Sequence, residues 1–300
     1  LCLELFEEGS HILCTEDLYG GTVRMFESIG EKRGVTFSYV DTSDAELVRK
    51  SIRKETKALY IETPSNPTMK VTDFAAMREI ADEYGLLIMA DNTFLTPYFQ
   101  KPLTLGADLV VHSGTKFLGG HNDVLAGFVC VKEKELSEKL RYTYKTVGCC
   151  LPPFDSFLVL RGIKTLSVRL ERQQENAKKI ALWLKNRPEV KAVYYTGLPE
   201  HPGYEINQKQ ASGCGSMISF KVDSEKRARK LLESVKLISY AESLGGVESL
   251  ITYPMLQTHG DVPVETRERL GITEDFLRMS VGIENAEDLI ADLEQALAEE

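Results

Sequence analysis

Short runs of apolar, often β-branched residues alternate along the chain with stretches in which apolar positions recur every three or four residues. The first pattern suits buried strands, the second helices with one buried face. Residues 3–8 read as the end of an amphipathic helix closed by Gly9. Strands are then predicted at 11–15, 35–40, 58–62, 86–90, 108–111 and 125–131, and helices at 44–54, 73–84 and 133–145. Asp73 is placed to cap the second of these helices and Gly85 to end it. Strands alternating with helices of about a dozen residues predict a mostly parallel sheet covered by helices, an α/β architecture.

The pattern changes after the pair Pro152-Pro153. A long helical stretch runs from Phe154 to about Lys185, with Leu166, Leu170, Ala177, Ile180 and Leu184 three, four or seven apart. It either bridges two domains or forms a core helix of the second. Beyond Pro188, strands at 190–195, 216–222, 237–240 and 277–282 and helices at 224–235 and 285–298 predict a smaller α+β domain. The expected division is 1–160 for the large domain and 161–300 for the small one, which includes the linking helix. The segment Gly197 to Gly215 is rich in polar and turn residues and reads as an exposed loop. No internal repeat or low-complexity segment is present.

Composition narrows the function. Three hundred residues that are 43% hydrophobic can bury a sizeable core. A net charge of −9 argues against nucleic acid or an acidic membrane surface as a partner. No apolar run approaches the roughly 18 residues that span a bilayer. The six cysteines show no C-x-x-C spacing and the five histidines no ligand pair, so neither a disulfide framework nor a metal site is expected. That cysteine usage suits a reducing, cytoplasmic setting.

The candidate chemistry centres on His112-Ser113-Gly114-Thr115-Lys116, directly after the strand ending at Val111. Two hydroxyl residues and a lysine at a strand end suit an aldehyde cofactor with a phosphate tail. The lysine would form a Schiff base, and Ser113 and Thr115 would hold phosphate oxygens. A solvated loop lysine is the plainer alternative. Asp91 ends another strand, where open α/β sheets bind ligands, and could keep the ring nitrogen of pyridoxal phosphate protonated. Asn66, between Pro64 and Pro67, could bond the cofactor's phenolic oxygen. Tyr19 lies in a glycine-rich loop, as a surface aromatic or as a catalytic ring stacked on the cofactor with its hydroxyl near the substrate amine. Arg278, in an alternating strand, calls for an anion: a substrate carboxylate or an interdomain salt bridge.

Together these segments resemble the transsulfuration group of pyridoxal-phosphate enzymes. The resemblance rests on Asp17–Thr22, Glu62–Pro67, Asp91–Phe94, His112–Lys116, Ala241–Ser249 and Leu277–Glu284, in the family's order over almost the whole chain. It implies a fold-type I architecture with pyridoxal 5'-phosphate as cofactor, a small amino-acid substrate and a homo-oligomer, dimer or tetramer. It further implies that Lys116 is the Schiff-base lysine and a base for the α-proton, and that Asp91 partners the ring nitrogen. Asn66 is then at the phenolic oxygen, Ser113 and Thr115 at the phosphate, Tyr19 over the ring, and Arg278 with Ser243 at the substrate carboxylate. Glu242 would border the substrate's distal end, where an acid favours an ammonium group.

The family's pattern also includes a preceding segment with a Ser-Gly-Met turn and a Tyr-x-Arg pair, so the chain is expected to be part of a longer protein. Gly114 stands where relatives usually have alanine, which would loosen the loop slightly. The two glycines Gly119 and Gly120 are expected to leave room for a bulky cofactor. Glu242 is similar to γ-synthase and γ-lyase members, and Ile251–Pro254 with Gln257–His259 resembles bacterial γ-synthases. Tyr194-Tyr195 and Leu198–Pro202 resemble β-lyases instead. The expected reaction is γ-replacement on an O-acyl-homoserine by cysteine. Cystathionine β- or γ-elimination, and an inactive remnant, are the alternatives.

Overall fold

The apolar runs of the first half fold into strands, five of them parallel, so that those five carboxyl ends lie at one edge. In a computed structural model that describes every residue except 258, 259, 261, 263, 299 and 300, they form a six-stranded sheet. Thr258 and His259 of the motif resembling γ-synthases therefore lie outside the described residues. The strands are β1 (His11–Thr15), β2 (Thr36–Val40), β3 (Thr56–Glu62), β4 (Leu87–Asp91), β5 (Leu109–Ser113) and β6 (Gly127–Val131). Their order is β2-β1-β3-β4-β5-β6; the first five are parallel and β6 runs antiparallel at the edge.

Between them lie α1 (Gly20–Met25), α2 (Ala45–Ser51), α3 (Phe74–Tyr84) and α4 (Thr96–Phe99), and α5 (Lys134–Val147) follows β6. As expected, the Asp73 carboxylate accepts from the Ala75 and Ala76 amides at the start of α3, and Gly85 ends it in the left-handed region. Residues 2–5 are a single tight 3-10 turn, shorter than the helix end expected there. Both faces of the sheet are buried. Phe74, Met77 and Ile80 of α3 pack on Leu59, Ile61 and Ile88, while Phe26 and Leu140 pack on Ile12, Tyr60 and Met89.

The stretch expected as one long helix is two: α6 (Pro153–Ile163) and α7 (Leu166–Lys185). It breaks because the Gly162 carbonyl turns to other donors: the Thr165 amide at 3.2 Å and the Arg169 guanidinium at 2.9 Å. The helix α7 does join the two units. Leu166 and Leu170 pack with Phe117 and Leu118 beside Lys116, whereas Ala177, Ile180, Ala181 and Leu184 enter the core of the second unit.

That second unit contains β7 (Val190–Tyr194), α8 (Tyr204–Gln210), β8 (Met217–Val222), α9 (Glu225–Ser234), β9 (Ser239–Tyr240), β10 (Leu250–Thr252), α10 (Val264–Leu270), β11 (Phe276–Ser280) and α11 (Ala286–Ala298). Its sheet order is β7-β8-β11-β10-β9, antiparallel except for the β10–β9 pair. The segment 197–215 departs from the exposed loop expected. It carries α8, buries Asn207, and pairs Ala211 with Gln100 of the large unit. Its polar side chains satisfy backbone groups on docking: Asn207 donates to the Gly213 carbonyl at 3.2 Å and Gln210 to the Thr72 carbonyl at 2.9 Å. Polarity there serves a buried junction rather than water.

Candidate active site

Parallel pairing puts Glu62 of β3 directly beside Asp91 of β4, and Asp91 beside Val111 of β5, two residues before Ser113. The carboxyl ends of β3, β4 and β5 thus converge, where an open α/β sheet binds its ligand. Asp91 is fully buried, and burial pushes its carboxyl above the ordinary value against hydrogen bonds from Thr93 and Tyr60. No cation is among the groups acting on it. An ionised acid in that position needs a positive charge from elsewhere. A protonated ring nitrogen supplies one, so Asp91 fits pyridoxal phosphate.

Lys116 lies in a single wide helical turn, Gly114–Leu118, and departs from helical geometry at φ −94°, ψ −130°. Its Nζ donates to the Ser243 hydroxyl at 2.9 Å. Burial lowers the affinity of Nζ for its proton, the Arg278 charge lowers it further, and Glu242 opposes them. The turn is held from beneath by Arg169, which donates to the Phe117 carbonyl at 2.9 Å. Ser113 ends β5, its amide bonded to the Thr93 hydroxyl at 2.9 Å. The Thr115 hydroxyl accepts from the Ala126 amide at 3.1 Å and also contacts the Ala126 carbonyl.

Gly114 does not loosen this loop. A Cβ there would meet the Phe128 ring at 2.6 Å and the Ala126 methyl at 2.8 Å, so glycine is required by packing. Nor do Gly119 and Gly120 clear space for a cofactor. A Cβ on Gly119 would meet the Gly114 carbonyl and Val124, and on Gly120 the Arg169 guanidinium. They admit Arg169 and close the turn.

Arg278 of β11 is only 2% exposed and reaches across to the large unit. Nη1 donates to the Asn66 amide oxygen at 2.7 Å, and Nη2 to the Ser243 carbonyl and the Thr252 hydroxyl, each at 3.1 Å. Burial depresses its pKa to about 10. Its Nε has no partner, and no carboxylate pairs with it among the described residues, so the expected alternative of an interdomain salt bridge does not apply. A buried guanidinium without an anion is costly and is suited to receive one. Because the Asn66 oxygen accepts from Arg278, its NH2 group remains the donor that the side chain can offer a ligand. The Ser243 hydroxyl faces Lys116 while its carbonyl faces Arg278, and φ of +95° at Ser243 permits both.

Tyr19 is 51% exposed, with its ring folded against Gly21. Its amide donates to the Glu62 carboxyl at 3.0 Å. Glu242 is exposed and lines an open recess of about 700 Å³ with Lys116, Ser243, Asn122 and Asp123. Three contributors escaped the sequence reading. Asp17, fully buried, accepts from the Ser65 hydroxyl at 2.5 Å and from Thr68, and its carbonyl receives the Asn66 amide at 3.2 Å. Glu62 and Arg169 are the other two. An acid ending a strand, as Asp91 does, was the available signal for Glu62; Arg169 gave none, being one of many helical arginines.

Comparison with known proteins agrees with this geometry. Residues 1–298 match the family described as Cys/Met metabolism PLP-dependent enzyme. The chain is 51% identical over 293 residues to cystathionine gamma-lyase of Bacillus subtilis (strain 168), covering 98% of this chain and 77% of that protein. It is 48% identical over 298 residues to cystathionine beta-lyase of Coxiella burnetii, covering 98% and 77%. Among solved structures it is similar to cystathionine gamma-lyase from Lactobacillus plantarum complexed with L-serine. That match has a TM-score of 0.97 and 43% identity, covering 99% of this chain and 78% of the other. With its large mostly parallel domain and small α+β domain, the chain has the fold-type I architecture and pyridoxal phosphate as cofactor. It belongs to the family of pyridoxal-phosphate enzymes of cysteine and methionine metabolism that make or break carbon–sulfur bonds.

Proposed function

We propose that the protein is a carbon–sulfur lyase that eliminates across the γ-bond of L-cystathionine. The observation that carries the reading is Glu242 beside Lys116 and Ser243 in one recess. An acid at the distal end of a substrate held at its α-carboxylate selects a distal ammonium, as cystathionine has. Glu242 alone suits making cystathionine as well as breaking it. The γ-replacement expected from sequence yields here because the relatives described above are named as lyases.

In this reading Arg278 binds the substrate α-carboxylate through the planar fork that now holds Asn66 and Ser243. Lys116, half-buried and weakened as a cation, would hold the cofactor through Nζ, and the same Nζ would accept the α-proton. The Ser243 hydroxyl, 2.9 Å away, orients that Nζ. Asp91 would hold the ring-nitrogen proton, and the Asn66 NH2 would serve the phenolic oxygen. Ser113 and Thr115 would contribute hydroxyls to the phosphate, and Tyr19 would cover the ring. Pyridoxal phosphate, when bound, supplies the electron sink for the charge left on Cα.

The working form is proposed to be a cytoplasmic homo-oligomer. The apolar side chains Phe154, Phe157 and Leu160 of α6 are exposed and available to a second copy. The test supplies purified protein with L-cystathionine, and separately with O-acetylhomoserine plus cysteine. Cysteine and 2-oxobutanoate from the first reaction are expected. Pyruvate and homocysteine would instead make it a β-lyase, and cystathionine formed in the second reaction alone would restore γ-replacement.

A further inference from the structure

Glu62 has no part in the reaction just described, yet its carboxyl is fully buried at the centre of the site. The β3–β4 register puts it opposite Asp91, and paired residues on neighbouring strands point to the same face about 5 Å apart. Its own backbone is fixed, since the Glu62 amide donates to the Thr15 hydroxyl at 3.2 Å. One carboxyl oxygen accepts from the Tyr19 amide at 3.0 Å. Residues 17–19 are therefore tied to the β3 end here, where the Asn66 amide meets the Asp17 carbonyl, and where Ser65 and Thr68 meet the Asp17 carboxyl.

We propose that Glu62 is a positioning residue: as a neutral carboxylic acid it anchors the Tyr19 amide, fixes the Tyr19 ring at the cofactor, and leaves the negative charge to Asp91. The proposal rests on the reading of Asp91 and Lys116 given above. Its physical ground is that two buried carboxyls this close cannot both ionise. Asp91, with a ring-nitrogen cation to face, keeps the charge. The charged groups facing Glu62 are Asp91, Asp17 and Arg278, and two of the three oppose its ionisation. The third, Arg278, bonds Asn66, Ser243 and Thr252 and makes no hydrogen bond to Glu62.

The experiment compares wild type, Glu62→Gln and Glu62→Ala, each reconstituted with pyridoxal phosphate. It reads the visible absorption band, its circular dichroism, its pH profile and the cofactor dissociation constant. Glutamine is the neutral isostere and still accepts from the Tyr19 amide. Glu62→Gln should therefore keep the dichroism and the pH profile and bind the cofactor within about threefold of wild type. Glu62→Ala leaves the Tyr19 amide unpaired and should lose about tenfold or more in affinity, with most of the dichroism. A Glu62→Gln protein as impaired as Glu62→Ala, or one with a displaced pH profile, would show that Glu62 acts as an anion and overturn the proposal. So would a Glu62→Ala protein that binds like wild type. Wild-type protein with no band at all would instead overturn the reading of Lys116 itself, and this proposal with it. Thermal unfolding without cofactor distinguishes a misfolded alanine variant, and the glutamine result then decides alone.

Discussion

Asp17 shows how much of the site is set by single buried atoms. Its carboxyl accepts from Ser65 and Thr68, on the loop that carries Asn66, and burial raises its pKa from the ordinary 3.8 to about 6. A raised acid in the native state binds its proton more tightly there than in the unfolded chain. Its contribution to stability is therefore complete below about pH 4 and is lost as pH rises to about 6, in total roughly 3 kcal/mol. Asp17→Asn is neutral throughout and can still accept from both hydroxyls. Urea unfolding should show the variant gaining on wild type as pH rises through that window, with no change in the difference above it. An equal difference at all pH values would mean that folding does not raise the pKa of Asp17. Gly114 carries the same lesson about context: sequence resemblance suggested a looser loop, and the Phe128 ring explains why glycine stands there.

At the scale of elements, Lys116 is presented by packing between a turn and a helix. The end of α6 lies on the lysine turn so closely that a Cβ on Gly162 would sit 2.2 Å from the Gly119 carbonyl oxygen and 2.8 Å from that of Leu118. Alanine would favour the helix by up to about 1 kcal/mol, but both obstacles are backbone atoms and the clash should cost about 1–3 kcal/mol. The clash wins. Gly162→Ala is expected to destabilise the protein and to weaken cofactor binding at Lys116, read by urea unfolding and by the visible band. Stability equal to wild type would show that α6 can slide off the turn freely. The break between α6 and α7 was not legible in the periodicity, because apolar spacing continues through it. What ends α6 is a contact with Arg169, itself engaged by Phe117.

On the scale of the whole molecule, Arg278 and α7 make the two units one site. Arg278 leaves the small sheet to bond Asn66 of the large one, and α7 buries its first turns beside Lys116 and its later turns in the small core. A cofactor bound where these parts meet, as proposed above, would stabilise the fold as a whole. Removing pyridoxal phosphate should lower the unfolding midpoint, and restoring it at about 100 times its dissociation constant should return about 2.7 kcal/mol. Scanning calorimetry with and without cofactor checks this; an unchanged midpoint would mean that the site forms without any gain to the native state.

The six strands of the large sheet, the caps of α3 and the order of acid, asparagine and lysine segments were determined by the sequence alone, whereas β10 was not expected from it. Each depends on residues within a few positions of one another: β-branched runs, Asp73 before its helix, and polar residues at strand ends. Only the tertiary structure decided the rest. That Glu62 stands beside Asp91 follows from strand register. That Ser243 meets Lys116, 127 positions away, and Asn66 meets Arg278, 212 away, follows from how the two units dock. Local periodicity holds no record of such pairings, because the energy that selects them arises only once distant surfaces are buried together.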